Sequence, residues 1–319
     1  MRIVFLMDPL AGINPVKDTS FQFMCCADAR DHELFHCAPG AISVADGALR
    51  VRVSPITAVD RDATACCRTA AMRVLSQDEI DLVVIRTDPP FNDRYLHDTW
   101  LLDLLPPQVT VVNAPAGIRS VNEKLWACRF PELLPPTLVT TDREAYLAFL
   151  AQMGEVVVKP TDGFGGQGVF RVAAGDPNAR VAFETTSAGG QRDVIVQRYL
   201  SAASSGDKRI LLLEGDILGA VLRVHGDEDH RNNFFAGGSA APTRIDADDQ
   251  RIADTLRPHL RALGLSFVGI DVIGGHLVEV NVTSPTCLQE AMRLTDEPLD
   301  ERVIDCWEGK VRAARESGT

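Results

Sequence analysis

The sequence predicts an α/β protein built from more than one packed unit, and three observations carry that expectation. Its 319 residues exceed one ordinary domain. Strand-length apolar runs alternate with helix-length segments up to residue 112, the pattern of an open α/β sheet. A connector at 113–122, rich in Pro, Gly and Asn, then separates an N-terminal unit (1–121) from a second unit (122–319) of strands, hairpins and a glycine-dense loop. Hydrophobic content of 45% with mean hydropathy near zero describes a soluble globular chain, and no apolar run approaches a membrane span.

The first strand is 2–7, ended by Asp8-Pro9. Its apolar run is too short and lacks the cleavage site of a signal peptide. A polar loop leads to a helix from an Asp18/Thr19 cap to about Arg30. Strands follow at 33–37, 41–45 and 48–53, the last two joined at Asp46-Gly47. A buried strand at 81–86 runs into Asp88-Pro89-Pro90; a helix at 93–105 and a strand at 109–112 close the unit. In such sheets ligands bind beyond the carboxyl ends of the strands, which places Met7-Asp8-Pro9 and Arg86-Thr87-Asp88 at a crevice. The second unit opens with a helix at 122–130 carrying Lys124. Strand 134–139, helix 142–153 and strand 155–159 come next, then strand 169–172, a helix near 177–188, and strands at 193–198, 208–214 and 217–224. Residues 225–247 show no clear element and are long for a structureless loop, so a lid is expected there. A helix at 248–263, bent at Pro258, precedes a hairpin, and helices at 286–294 and 299–315 end the chain.

The net charge of −12 argues against nucleic acid or an anionic membrane as partner. An anionic substrate would need a locally basic site. The eight cysteines include the adjacent pairs Cys25-Cys26 and Cys66-Cys67 but no C-x-x-C, which fits reduced thiols and a cytoplasmic location better than a disulfide framework or a zinc site. No Ser–His–Asp or Cys–His set is evident, and the seven histidines are scattered. Asn281-Val282-Thr283 matches a glycosylation sequon, uninformative without a signal peptide.

Most informative is the stretch 267–286, FVGIDVIGGHLVEVNVTSPT. Glu279 and Asn281 are two apart on a strand and share a face. Gly274-Gly275 marks the turn. Asp271 joins their face only if the loop is odd-numbered or the hairpin is bulged; a strict two-residue loop sends it to the other side. The three would form a hard, all-oxygen set suited to Mg²⁺ that also binds nucleotide phosphates. An amphipathic hairpin with its polar residues in water is the alternative. Lys159 ends a strand before Gly163-Phe164-Gly165-Gly166-Gln167-Gly168, where backbone N–H groups could approach phosphates. The order is not that of a P-loop, and a strand, not a helix, follows. Gln197-Arg198-Tyr199-Leu200 closes a strand and could offer backbone groups to an adenine ring; Asp207 could bind ribose hydroxyls. Arg209, Arg223 and Arg231 could supply the basic field, and Thr283-Ser284-Pro285-Thr286, ahead of a helix, could bind a carboxylate.

Taken in order, these segments resemble the ATP-grasp ligases, and the chain is similar to the bacterial glutathione synthetases almost from end to end. The resemblance rests on M-D-P at 7–9, I-N-P-x-K-D-T-S-F at 13–21, D-P-P-F at 88–91, N-E-K-L at 122–125, D-G-F-G-G at 162–166, G-D-K-R at 206–209 and N-V-T-S-P-T-C at 281–287. It implies an ATP-grasp fold: an N-terminal α/β domain, a central lid subdomain (about 130–200) and a C-terminal subdomain (about 201–319). It further implies condensation of γ-glutamylcysteine with glycine, driven by ATP through an acyl phosphate, in a homo-oligomer. By the resemblance, Lys124, Lys159, Gly163, Gly165, Gly166, Gln197, Tyr199, Leu200 and Asp207 bind ATP. Asp271, Glu279 and Asn281 hold Mg²⁺, with Mn²⁺ as the substitute. Arg209, Arg223 and Arg231 act on the reacting carboxylate, and Asp18, Ser20, Arg86, Asp88 and Thr283 to Thr286 bind substrate. Departures from the family pattern fall at Thr87, at Arg231–Ser239, where the final arginine is lost, and at Gln289. They keep open a related ligase for another carboxylate and amino acid; a non-catalytic ATP-binding protein is the rival of a different class.

Overall fold

The structure, a computed structural model, describes residues 1–224 and 239–317. Most of the expected lid segment, residues 225–238 with Asp227 to Asp229, Arg231, Gly237 and Gly238, lies outside the described residues. Three sheets organise what is described.

The first sheet contains β1 (Arg2–Leu6), β2 (Glu33–Cys37), β3 (Ile42–Ala45), β4 (Ala48–Val59), β7 (Leu82–Ile85) and β8 (Thr110–Val112), in the order β3-β4-β2-β1-β7-β8. β5 (Cys67–Thr69) and β6 (Arg73–Ser76) pair with β4. β1 runs parallel to β2 and to β7, and β7 parallel to β8, so the strand order reverses at β1. The carboxyl ends of β1 and β7 therefore open a switch-point crevice. Across it the Asp88 N–H donates to Asp8 Oδ2 at 2.8 Å. Asp18 caps α1 (Thr19–Asp28) by accepting from Phe21 N–H at 2.7 Å, and Asn92 likewise caps α2 (Asp93–Leu102).

Two expectations fail just beyond this sheet. The connector holds α3 (Pro115–Ser120), whose Pro115 sits where the first helical N–H has no partner to lose. Its Gly117 is required because a Cβ there would lie 2.1 Å from the Leu263 carbonyl oxygen. Conversely, 122–130 is a turn followed by a 3₁₀ segment, Trp126–Arg129, so Lys124 stands on a turn and not on a helix.

The second sheet is antiparallel, β11-β10-β12-β9, from β9 (Thr137–Thr140), β10 (Glu155–Pro160), β11 (Phe170–Ala173) and β12 (Val194–Arg198). With α4 (Arg143–Met153) and α5 (Ala179–Thr186) it encloses a core of its own around Tyr146, Val158, Phe183 and Val196. The third, β15-β14-β13-β16-β17, comprises β13 (Asp207–Leu213), β14 (Asp216–Val224), β15 (Ser239–Ala241), β16 (Phe267–Ile273) and β17 (His276–Asn281). β15 lies inside a stretch that the sequence left without an element. The third sheet packs with α6 (Ala247–Ala262), α7 (Leu288–Thr295) and α8 (Leu299–Ser317) against the first, in two cores that mix residues of both. Buried Asn113 stitches the two parts: its amide donates to the Phe267 and Val282 carbonyls at 2.9 Å each, and its Oδ1 accepts from Phe267 N–H at 2.9 Å. Among the described residues no helix is long and apolar enough to cross a membrane.

Candidate active site

The hairpin settles its own ambiguity. Its turn has two residues, Gly274 and Gly275, both at positive φ (54° and 76°), with Ile273 opposite His276 and Val272 opposite Leu277. The register then shifts, so that Asp271 pairs with Glu279 and Gly269 with Asn281. The one extra residue, Val278, re-phases β17 and brings Asp271, Glu279 and Asn281 to one face. All three line a cavity of about 330 Å³ between the second and third sheets.

Two arginines stand opposite on neighbouring strands. Arg209 of β13 pairs with Asp271 in the register and Arg223 of β14 pairs with Asp207. Arg209 Nε lies 2.5 Å from Asp271 Oδ1 and its Nη2 3.1 Å from Oδ2; Arg223 grips Asp207 at 2.7 and 2.8 Å and reaches Asp271 Oδ2 at 2.8 Å. Burial alone would push the Asp271 carboxyl up, but the two guanidiniums outweigh it and hold the group well below the usual carboxylate range. Asp207, expected at a ribose, thus has its carboxylate engaged by Arg223 while still lining the cavity.

The opposite end of the cavity is built from lysines and glycines. Lys124 Nζ meets Glu279 Oε1 at 2.9 Å and also donates to the Gly163 carbonyl. Lys159 is buried, donates to the Val278 carbonyl at 3.3 Å, and has its ammonium lowered to about 8 by burial, with Glu279 resisting and Lys124 adding to the fall. Gly165 and Gly166 take positive φ, and they and Phe164 line the cavity. At Gly163 a Cβ would approach Pro160 Cγ to 2.6 Å, so the loop can fold back over its strand only with glycine. At the far end, Gln197, Tyr199 and Leu200 line the wall. The Gln197 amide is spent on Thr137 Oγ1 (3.0 Å), and the Arg171 guanidinium covers the Tyr199 ring at 3.9 Å.

The remaining predicted residues divide in two. Asp88, Thr283, Ser284, Pro285 and Thr286 line the cavity. Arg86, Ser20 and Asp18 stand behind that wall. Arg86 is 4% exposed, lies 5.8 and 5.9 Å from the Phe23 and Phe267 rings, and donates to Ser20 Oγ and the Pro285 carbonyl at 2.9 Å each. Asp18 uses its carboxylate as the α1 cap and its carbonyl to accept from Gln289 Nε2 at 2.6 Å. Arg231 is outside the described residues. The sequence reading missed Glu123, which lines the cavity and accepts from Val282 N–H, Thr283 N–H and Thr283 Oγ1. Its place in N-E-K-L, next to Lys124, was the available signal.

The donor set fits a hard cation. Among the described residues no three His, Cys, Asp or Glu side chains form a metal cluster; here two carboxylates and an amide meet. That is too few for a protein-only cage and right for an ion that completes its shell with phosphate oxygens and water.

Lysines under a glycine loop, facing an acid–acid–amide hairpin between two antiparallel sheets, define an ATP-grasp ligase. The same fold is found in D-cycloserine synthetase DcsG (TM-score 0.65, 17% identity, covering 97% of this chain and 99% of that one). It recurs in the ATP-grasp ligase PsnB, solved with Mg and ADP (TM-score 0.63, 15% identity, 97% and 98%). The family models for the prokaryotic glutathione synthetase N-terminal domain and ATP-grasp domain match residues 1–119 and 123–296. The glutathione synthetase of Synechocystis sp. is 39% identical over 96% of this chain and 98% of its own, and that of Vibrio cholerae 36% over 98% and 99%. The chain belongs to the prokaryotic glutathione synthetase family and is an ATP-dependent ligase of glutathione synthesis that forms a C–N bond and uses a divalent metal.

Proposed function

We propose that the protein converts ATP, γ-glutamylcysteine and glycine to glutathione, ADP and phosphate through an acyl phosphate, with each group of the cavity in a defined role. The observation that carries the reading is the convergence of Lys159, Arg209, Arg223, Asp271, Glu279 and Asn281 on one cavity, with Lys124 held against it through Glu279. Lys124 and Lys159 hold the ATP phosphates beneath Gly163, Gly165 and Gly166. The backbone at Gln197–Leu200 takes the adenine, and Asp207 reaches the ribose once Arg223 turns to substrate. Asp271, Glu279 and Asn281 hold the metal, Mg²⁺ with Mn²⁺ as substitute; bound there, it would offset charge on the phosphoryl oxygens.

A carboxylate is a poor electrophile. The dipeptide carboxylate oxygen attacks the γ-phosphorus, the bond to the ADP oxygen breaks, and the acyl carbon gains a phosphate leaving group. Arg209 and Arg223, with Arg231, orient that carboxylate and meet the negative charge spread over the transferring group. The glycine amine then attacks the acyl carbon, and phosphate departs from the tetrahedral intermediate. No protein nucleophile is needed. Thr283 to Thr286 and Asp88 contact the dipeptide, while Arg86, Ser20 and Asp18 hold the Pro285 wall in place. Because acyl phosphates hydrolyse, water has to be kept out, the purpose assigned to the lid of about 130–200 and to 225–241. The independent core of the second sheet supports treating it as a unit that closes on 201–319, beside an N-terminal domain of 1–121. A homo-oligomer in the cytoplasm is the expected setting. Steady-state rates with γ-glutamylcysteine and with dipeptides varied at either residue test the assignment. A kcat/KM preference for γ-glutamylcysteine over all others supports it; a stronger preference for another carboxylate moves the enzyme to the related-ligase reading.

A further inference from the structure

We infer that Glu123 is a positioning residue that fixes the phosphate-facing lysine against the metal-facing strand, an inference that rests on the ATP-site reading above. Three consecutive side chains of one turn bridge two different sheets. Asn122 Nδ2 donates to the Thr161 carbonyl at 3.1 Å, at the start of the glycine loop, while its Oδ1 accepts from the backbone N–H of Lys124 (3.0 Å) and of Leu125 (2.9 Å). Lys124 Nζ bridges the Gly163 carbonyl and Glu279. Between them Glu123 turns the other way. Its Oε1 alone accepts from Val282 N–H (2.8 Å), Thr283 N–H (3.0 Å) and Thr283 Oγ1 (2.9 Å), and its backbone carbonyl accepts from Val280 N–H (2.8 Å). The turn is thereby clasped to residues 280–283, which carry the ligand Asn281 and open the wall Thr283–Thr286.

A carboxylate in that place is costly. It is taken from water beside a second carboxylate, Glu279, a position tolerated only while donors converge on it. Charge-assisted hydrogen bonds to a carboxylate are about twice as strong as neutral ones. A glutamine of the same shape keeps the acceptor but weakens all three contacts, and an alanine removes them. The residue touches neither reacting atom; its effect runs through Lys124 and Asn281.

The test uses Glu123→Gln, with Glu123→Ala as the severe variant, and measures affinity for ADP with Mg²⁺ by calorimetry, KM for each substrate, and the melting temperature. Weakening all three charge-assisted contacts together predicts ADP·Mg²⁺ binding about tenfold weaker in Glu123→Gln. KM for ATP should rise in parallel, KM for glycine should stay unchanged, and Glu123→Ala should be worse on the same axis. A residue that merely holds the fold would lower the melting temperature and the active fraction but leave affinity and KM of the folded enzyme alone. That result overturns the inference, and Glu123→Gln decides it if Glu123→Ala does not fold. Wild-type protein that binds ADP·Mg²⁺ without making glutathione would sink the functional reading and leave this inference standing. Wild-type protein that does not bind ADP·Mg²⁺ would sink both.

Discussion

Replacing Glu279 by alanine separates catalysis from folding more sharply than any other change in the site. The side chain is 22% exposed and pairs at 2.9 Å with Lys124, itself 9% exposed, while buried Lys159 lies within its electrostatic reach. Breaking an exposed pair costs under about 1 kcal/mol and a fully buried one about 3–5 kcal/mol; this half-buried pair should fall between, at about 1–3 kcal/mol. In a chain of this size that is a fall of roughly 2–8 °C in Tm. Turnover should fall far more, by about 10³-fold or beyond, because the carboxylate proposed to hold the cation that would offset charge on the transferring phosphoryl group is lost. The two lysines lose a counter-charge, so ADP binding measured in a chelator should hold or strengthen. A coupled ADP assay, thermal denaturation and calorimetry without metal read the three quantities independently. Activity within threefold of wild type would refute the metal assignment. A collapse of structure with loss of chelator-insensitive ADP binding would make Glu279 a folding residue.

Three further outcomes are expected. Arg223→Ala leaves half-buried Asp207 and buried Asp271 facing each other without their shared cation, and urea denaturation should show a loss of about 2–4 kcal/mol; Arg223→Lys should recover only part of it, since an ammonium cannot fork between both carboxylates. Asn113→Ala strands three buried backbone groups, at about 1 kcal/mol or more each, and should lower Tm clearly while KM values in the folded enzyme stay put. Burial pushes the thiols of Cys25 and Cys26 up to about 11 and those of Cys37 and Cys67 to about 12. At pH 8 the thiolate is then about one part in a thousand or less, so intact mass after brief iodoacetamide treatment should show these four unmodified until denaturant is added.

Much of the site was legible because its chemistry is local. The glycine loop, the hairpin acids and the strand-end positions of Asp8 and Asp88 follow from spacing alone. What spacing left open was the hairpin phase: a two-residue turn sends Asp271 to the wrong face, and only the extra residue at Val278, where the pairing of β17 with β16 shifts register, brings it back. Pro115 and Gly117 read as connector residues, yet the first starts a helix and the second admits the Leu263 backbone. The short edge strands β5 and β6 carry little apolar pattern and exist because β4 runs twelve residues and pairs along its length. Arg86 shows the limit of residue type. An arginine at a strand end promised substrate contact, but two phenylalanines and the Pro285 carbonyl hold it behind the wall. Glu123 was hidden in the other direction, a charged residue on a polar turn whose donors come from about 160 positions away.

The most direct test is ADP release by the purified protein with Mg²⁺-ATP, γ-glutamylcysteine and glycine, omitting each in turn and weighing the product. The account predicts ADP formation that needs every component, in equal amount to a product with the mass of glutathione. ADP formed without glycine or without the dipeptide at the full rate, or no glutathione from the complete mixture, would contradict it.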